Sequence, residues 1–201
     1  MQDRNAVTSV SINELATKRW SPRAFDESRG VNRAQITALV EAGRWSPSCF
    51  GAEPWRFLMW NRADDAAGWQ QAFDCLSENN RKWCHKVSLL MLACAGSTFE
   101  HNGQPNRWAQ YDTGMAALSL TLEAVAQGLV AHQMGGFDIA KTRAAFAIPE
   151  DFMPMAMIAV GYQAAAETIA DEETRQKELK PRGRKPAADR FFGGSWGRPA
   201  L

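Results

Sequence analysis

The chain has 201 residues, 45% of them hydrophobic and 22% charged, which suits one globular domain with a real core. Its 23 Lys and Arg are balanced by 22 Asp and Glu, so no bulk electrostatic commitment to nucleic acid is expected. No secretory leader is expected from its opening residues, and its longest apolar run, VSLLMLACA at 87–95, is too short to span a bilayer.

Ser11, with Glu14 three residues on, predicts a capping box opening a short first helix that carries Ile12 and Leu15. The chain then turns at Ser21-Pro22. Asn32 and Gln35 predict a second helix start, followed by Ile36, Leu39, Val40 and Gly43 on one face. Pro47 and Pro54 bracket the loop SPSCFGAEP, and WRFLMW at 55–60 predicts a strand. A polar helical stretch runs through Ala72 and Leu76, and 87–95 predicts a strand buried on both faces. Residues 97–110 are polar and turn-rich, a loop or a lid.

Met115, Leu118, Leu122, Val125 and Leu129 recur at steps of three and four, which predicts a long helix burying that stripe. A short segment at 130–136, a helix over 140–146 and a strand over 155–161 follow. Residues 164–180 carry no apolar stripe and read as a solvated helix or a linker. The tail from Pro181 is basic and aromatic; the 164–201 segment is expected to pack on the body or on a partner subunit. Strands alternating with helices predict one layered α+β or α/β domain over 1–201. Cys49, Cys75, Cys84 and Cys94 form no CxxC pair, and no His stands at ligand spacing beside them. We therefore expect no metal site, and reduced thiols in a cytoplasmic protein.

Four stretches could carry chemistry. Lys18 to Arg23 (KRWSPR) offers guanidinium forks and a hydroxyl suited to phosphate, or is a plain basic turn. The loop at 46–54 is pinned by two prolines and exposes backbone through small residues, or is an ordinary connector. Gly135 and Gly136 in MGGFD permit close approach to the backbone, but fit neither a dinucleotide fingerprint nor a P-loop. Arg182-Gly183-Arg184-Lys185 is a phosphate ligand set or a solvated charge run. No GxSxG or HExxH occurs, and His132 reads as a satisfied core histidine.

Taken in order, KRWSPRAFD, WSPSCFGAEPWRF, GLVAHQMGGFD, AMIAVGY and PRGRKPAADRFF resemble the nitroreductase family of flavoenzymes, from about Ile12 to Phe192. The resemblance implies an α+β fold: a three-layer α/β/α sandwich on a central mixed sheet, in an intertwined homodimer with FMN sites at the interface. It implies that Arg19, Ser21, Arg182 and Arg184 hold the FMN phosphate and ribityl chain. Trp20 and Arg23 would lie along the flavin, and Asn80 would bond the pyrimidine end. Gln133, Met134, Gly135 and Gly136 would pass their backbone beside the ring. Pro47, Ser48, Cys49, Phe50 and Gly51 would reach across from the other subunit. Gly51 and Glu53 depart from the family's usual Asn and Gln.

The implied activity is ping-pong transfer of a hydride from NAD(P)H, through FMN, to a nitroaromatic, quinone or similar small electron-poor acceptor, with no obligatory protein nucleophile or base. Its rivals are a flavin-binding module without turnover and another flavin reaction on the same scaffold, such as dehalogenation or flavin breakdown. Nucleic-acid binding through the basic tail is disfavoured by the charge balance. No nucleic-acid or membrane partner is expected.

Overall fold

The computed structural model describes residues 4–200. Its strands are β1 (Trp55–Asn61), β2 (Leu89–Gly96), β3 (Val130–Met134) and β4 (Phe152–Gly161), in the order β1-β2-β4-β3. Its helices are α1 (Glu14–Lys18), α2 (Arg33–Arg44), α3 (Ala66–Asp74), α4 (Glu78–Cys84), α5 (Ala109–Ala126), α6 (Ile139–Ala145) and α7 (Glu172–Leu179).

β2 is the buried strand that the apolar run predicts. Its side chains alternate: Leu90, Leu92 and Cys94 join one core cluster, and Leu89, Met91 and Ala93 join the other. The first cluster packs beneath α3 and α4 with Trp69 and Trp83; the second lies under α2 and α5 with Leu39 and Leu120. Helices on both faces of one sheet make the expected three layers.

Two details differ from the sequence reading. The sheet is antiparallel at every pairing among the described residues, not mixed. A mixed sheet needs a parallel neighbour, and the tail that could supply one instead folds on itself through a Phe192–Pro199 bridge. The first helix is capped by Asn13, whose side chain accepts from Leu15 N, rather than by Ser11. Asn32 and Gln35 do form their capping box, with Gln35 N donating to Asn32 Oδ1 at 2.9 Å.

The stripe chosen for α5 is the larger departure. The face against the sheet is built from Ala109, Thr113, Ala116, Ala117, Leu120, Thr121 and Ala124. Small residues let this helix sit close to β2 and β3. Of the predicted stripe, Leu129 is buried beyond the helix end, Met115, Leu122 and Val125 are half-buried, and Leu118 is 48% exposed. A helix apolar on nearly every side wants a second covering surface.

Candidate anion cradle and its surroundings

The segment 19–26 has little regular structure of its own, so other elements hold it peptide by peptide. Arg182 Nη2 donates to Arg19 O at 2.9 Å, and Nη1 donates to Arg4 O at 2.5 Å and Thr17 O at 3.0 Å. His132 Nδ1 meets Pro22 O at 2.8 Å. Glu178 takes the N–H groups of Arg23 and Ala24, and Ala164 N donates to Ala24 O. Phe25 bridges to Gln163.

What this fastening leaves over is side-chain charge. Arg19, Trp20, Ser21, Arg23, Lys177, Lys180, Arg182 and Arg184 line one cavity of about 190 Å³. Among the described residues no carboxylate lines that wall, and of its cations Lys177 is paired with Glu173 of its own helix at 2.6 Å. Arg19 is half-buried, and its guanidinium has no acceptor among the described residues. Burial first, then the nearby Arg184, push its pKa below the ordinary arginine value. Burial likewise lowers that of Arg182, with Arg19, Arg184 and Arg4 adding repulsion. Guanidinium groups crowded without a counter-charge are a site for an anion.

A second group of predicted residues lies around the end of β3. Asn80 Nδ2 donates to Gly136 O at 2.9 Å, and Ser77 N donates to the same oxygen. A Cβ at Gly136 would come within 2.8 Å of both Asn80 Nδ2 and Ser77 Oγ, whereas at Gly135 it would meet nothing within 4 Å. Gly136 is thus there for close packing, and Gly135 leaves its backbone open for a flat group to approach. Gln133 turns its amide away, donating to Ala117 O and Thr121 Oγ1 on α5. His132 links this region to the cradle: it stacks on Trp83 at 4.7 Å while holding Pro22. Burial, with Arg23 nearby, pushes its pKa down to about 4, so it is a neutral, satisfied histidine as expected.

The loop at 47–51 is not brought to either group. It leads into β1, which lies at the opposite edge of the sheet from β3, about 14 Å away at three strand spacings. Its shape is set by Asp112 Oδ2, which accepts from Cys49 N, and by Ser48 Oγ, which accepts from Glu53 N. Phe50 (φ 55°) and Glu53 (φ 43°) occupy the left-handed region beside Gly51 (φ 63°). Phe50 is 83% exposed and meets Phe99 and His101 edge-on.

Sequence reasoning passed over Ser77, Asp112, Lys177, Lys180 and Glu178. Ser77, Asp112 and Glu178 act through contacts distant along the chain, and Lys177, Lys180 and Glu178 sit in the segment read as solvated. The four cysteines are free, and burial raises the Cys84 and Cys94 thiols, the latter to about 11. Among the described residues, no helix is long and apolar enough to cross a membrane, and no group of three His, Cys, Asp or Glu could hold a metal ion.

Residues 16–162 match the model of the nitroreductase family. A 15.4 kDa uncharacterized protein of Mycolicibacterium smegmatis is 37% identical over 127 residues, 62% of this chain and 82% of its own. A Staphylococcus haemolyticus relative, provisionally named an NAD(P)H nitroreductase, is 23% identical over 85% of this chain and 91% of its own. Among solved structures, one described as the oxidoreductase containing FMN superposes with a TM-score of 0.89 at 30% identity, covering 98% of each chain. A nitroreductase family protein from Clostridium difficile 630 shares the fold at 19% identity and a TM-score of 0.70, over 92% of this chain and 99% of its own.

Proposed function

The chain belongs to the nitroreductase family, and from that premise we propose that it is an FMN-dependent oxidoreductase, a homodimer drawing electrons from NAD(P)H. The observation that carries this reading is the Arg19 guanidinium, half-buried and without an acceptor among the described residues, in a cavity wall rich in cations. A phosphate monoester supplies the missing charge. The open backbone at Gly135 gives a flat ring somewhere to lie, so the residues present fit FMN at both its ends.

In this proposal Arg19, Ser21 and Arg184 hold the phosphate. Arg182 lines the same cavity while its Nη atoms brace the N-terminal segment. Trp20 and Arg23 lie along the ring, and Arg23 is the cation that stabilises negative charge at the pyrimidine edge. Asn80 keeps its amide on Gly136, leaving Oδ1 to accept from the ring edge. Gln133 to Gly136 border the ring with backbone alone. The chemistry that FMN supplies when bound is hydride transfer from NAD(P)H and onward, in a ping-pong cycle, to an electron-poor acceptor such as a nitroaromatic or quinone.

The 47–51 loop completes the site from a second copy of the chain. What supports this is its distance from the cradle within one chain, together with the uncovered apolar residues Trp45, Phe50, Tyr111 and Leu118 on its side of the molecule.

One spectrum tests the reading. The purified protein should be yellow with a flavin band that NADH or NADPH bleaches anaerobically. Colourless protein that takes up no FMN would sink the cofactor. A band that neither donor bleaches would leave a flavin-binding module without turnover.

A further inference from the structure

Glu178 is 3% exposed, yet no Lys or Arg makes an ion pair with it among the described residues. A buried carboxylate without an ion-pair partner is costly unless hydrogen bonds hold its charge. Its two oxygens are divided between consecutive peptides: Oε2 accepts from Arg23 N at 2.8 Å and Oε1 from Ala24 N at 3.3 Å. Burial raises its pKa, while those two N–H groups and the charges of Arg23 and Arg4 pull it back.

The helix that carries it is itself anchored. Asp171 caps α7 through Thr174 N and pairs with Lys82 of α4 at 3.2 Å. At the other end, Arg4 Nη1 donates to Leu179 O. Lys177 and Lys180, on either side of Glu178 in sequence, line the cation-walled cavity. This short helix and its C-cap thus set a carboxylate against the 19–24 backbone and two lysines in the cavity wall.

We propose that Glu178 is the positioning residue of the anion cradle. By holding the peptides of Arg23 and Ala24, its carboxylate sets the path that aims Arg19, Ser21 and Arg23 into the cavity. The proposal rests on the FMN reading and adds to it a residue that touches neither phosphate nor ring. It has a consequence of unusual sign. A carboxylate near a phosphate opposes it electrostatically, so discharging Glu178 should tighten phosphate binding if charge were all that mattered. A brace predicts the reverse.

The test titrates FMN, and riboflavin as its phosphate-free counterpart, into flavin-depleted protein and follows flavin fluorescence. In Glu178→Gln one acceptor becomes an amide donor facing an N–H, so the brace fails at one peptide. FMN binding should weaken by about tenfold, the loss of one hydrogen bond to a charged group, and riboflavin binding by much less. Glu178→Asp keeps the charge but is too short to reach both peptides, so it should weaken FMN binding too. FMN binding that is unchanged or tighter in Glu178→Gln overturns the proposal. So does an equal loss for FMN and riboflavin, which marks a general structural role. If Glu178→Gln does not fold, unchanged FMN binding in Glu178→Asp overturns it alone. Wild-type protein that binds no FMN breaks the cofactor reading instead. Inorganic phosphate, followed by calorimetry, then takes the place of FMN: weaker binding in both variants supports the brace, and binding equal to wild type overturns it.

Discussion

The 19–26 segment and the 47–54 loop are both irregular, and both were singled out by their sequence, but the chain treats them in opposite ways. The first is fastened from four directions by Arg182, His132, Glu178 and Ala164, and its backbone polar groups are largely satisfied within one subunit. The second holds two non-glycine residues at positive φ and points Phe50 at solvent. In our proposal one chain therefore builds a finished anion cradle and leaves a wall to be completed by a second copy. Strain of this kind persists where surrounding contacts fix it, and for Phe50 those contacts belong in our proposal to a second subunit.

The comparison breaks most visibly at the cradle. Charge-assisted contacts to phosphate are worth about 1.5–3 kcal/mol each. Arg19→Ala with Arg184→Ala should thus weaken FMN binding by roughly two to four decades and yield largely colourless protein. Thermal stability should barely fall, because neither guanidinium forms a long-range hydrogen bond among the described residues. Flavin content at purification, measured from the absorbance ratio, checks this. Full occupancy in the double variant would mean that the phosphate lies elsewhere.

At the unfinished wall, the sensitive quantity is association. Leu118 is 48% exposed on a helix whose opposite face is fully packed. Leu118→Glu places a charge where a partner would bury it, which costs about 2 kcal/mol or more per site when unpaired. The variant should sediment as a monomer at concentrations where wild type is dimeric, and should lose flavin as a consequence. Its isolated fold should survive, since the side chain touches little within its own subunit. A variant that remains dimeric would move the interface off this face of α5.

The same contrast explains what the sequence made legible. Capping at Asn32 and Gln35 and the continuous apolar run of β2 are local patterns, and the structure has both. The α5 stripe misled because large apolar side chains mark two surfaces there. Alanine and threonine face the sheet, while Leu118 and its neighbours face outward. Ser11 yielded to Asn13 at the first cap, a shift of two residues that propensity alone does not decide. Glu178 was invisible because it sits in a segment whose composition looks fully solvated and its partners lie about 155 positions away. Family motifs name a set of candidate residues; the contacts that brace their backbone from behind, such as Glu178 on Arg23 and Ala24, leave no motif.

A pH titration separates the finished region from the rest of the fold. The pKa of His132 is pushed down to about 4, below its ordinary 6.5, chiefly by burial. An unfolded chain therefore binds a proton that the native state resists across that window. The stabilisation is fully present above pH 6.5 and is lost as pH falls through about 4, by at most about 3 kcal/mol. Glu178 works the other way. Its raised pKa makes its contribution greatest at low pH and diminishes it as pH rises above 4.5. Comparison with His132→Phe isolates the histidine, because phenylalanine can keep the stack on Trp83 and cannot titrate. Urea unfolding should show a shallower loss of stability from pH 7 to pH 4.5 in that variant. Parallel curves would remove His132 as the acid-sensitive group.

The smallest effect on the fold should come from Phe50, and its smallness is the point. A left-handed backbone at a non-glycine residue costs about 1 kcal/mol, and glycine removes that cost. Against this stands the loss of edge contacts to Phe99 and His101, each made by a ring that is 83% exposed. The two nearly cancel, so Phe50→Gly should leave the stability of a dilute, monomeric subunit within about 1 kcal/mol of wild type. Dimer affinity and turnover of a flat acceptor should fall by more than that, because the ring's remaining surface is available only to a partner or to a ligand. Unfolding of the Leu118→Glu monomer with and without Phe50→Gly gives the first number, and acceptor kinetics of the dimeric Phe50→Gly enzyme give the second. A large destabilisation of the monomer would show that Phe50 belongs to the core of its own subunit. The loop would then be a second finished region rather than half of a shared one.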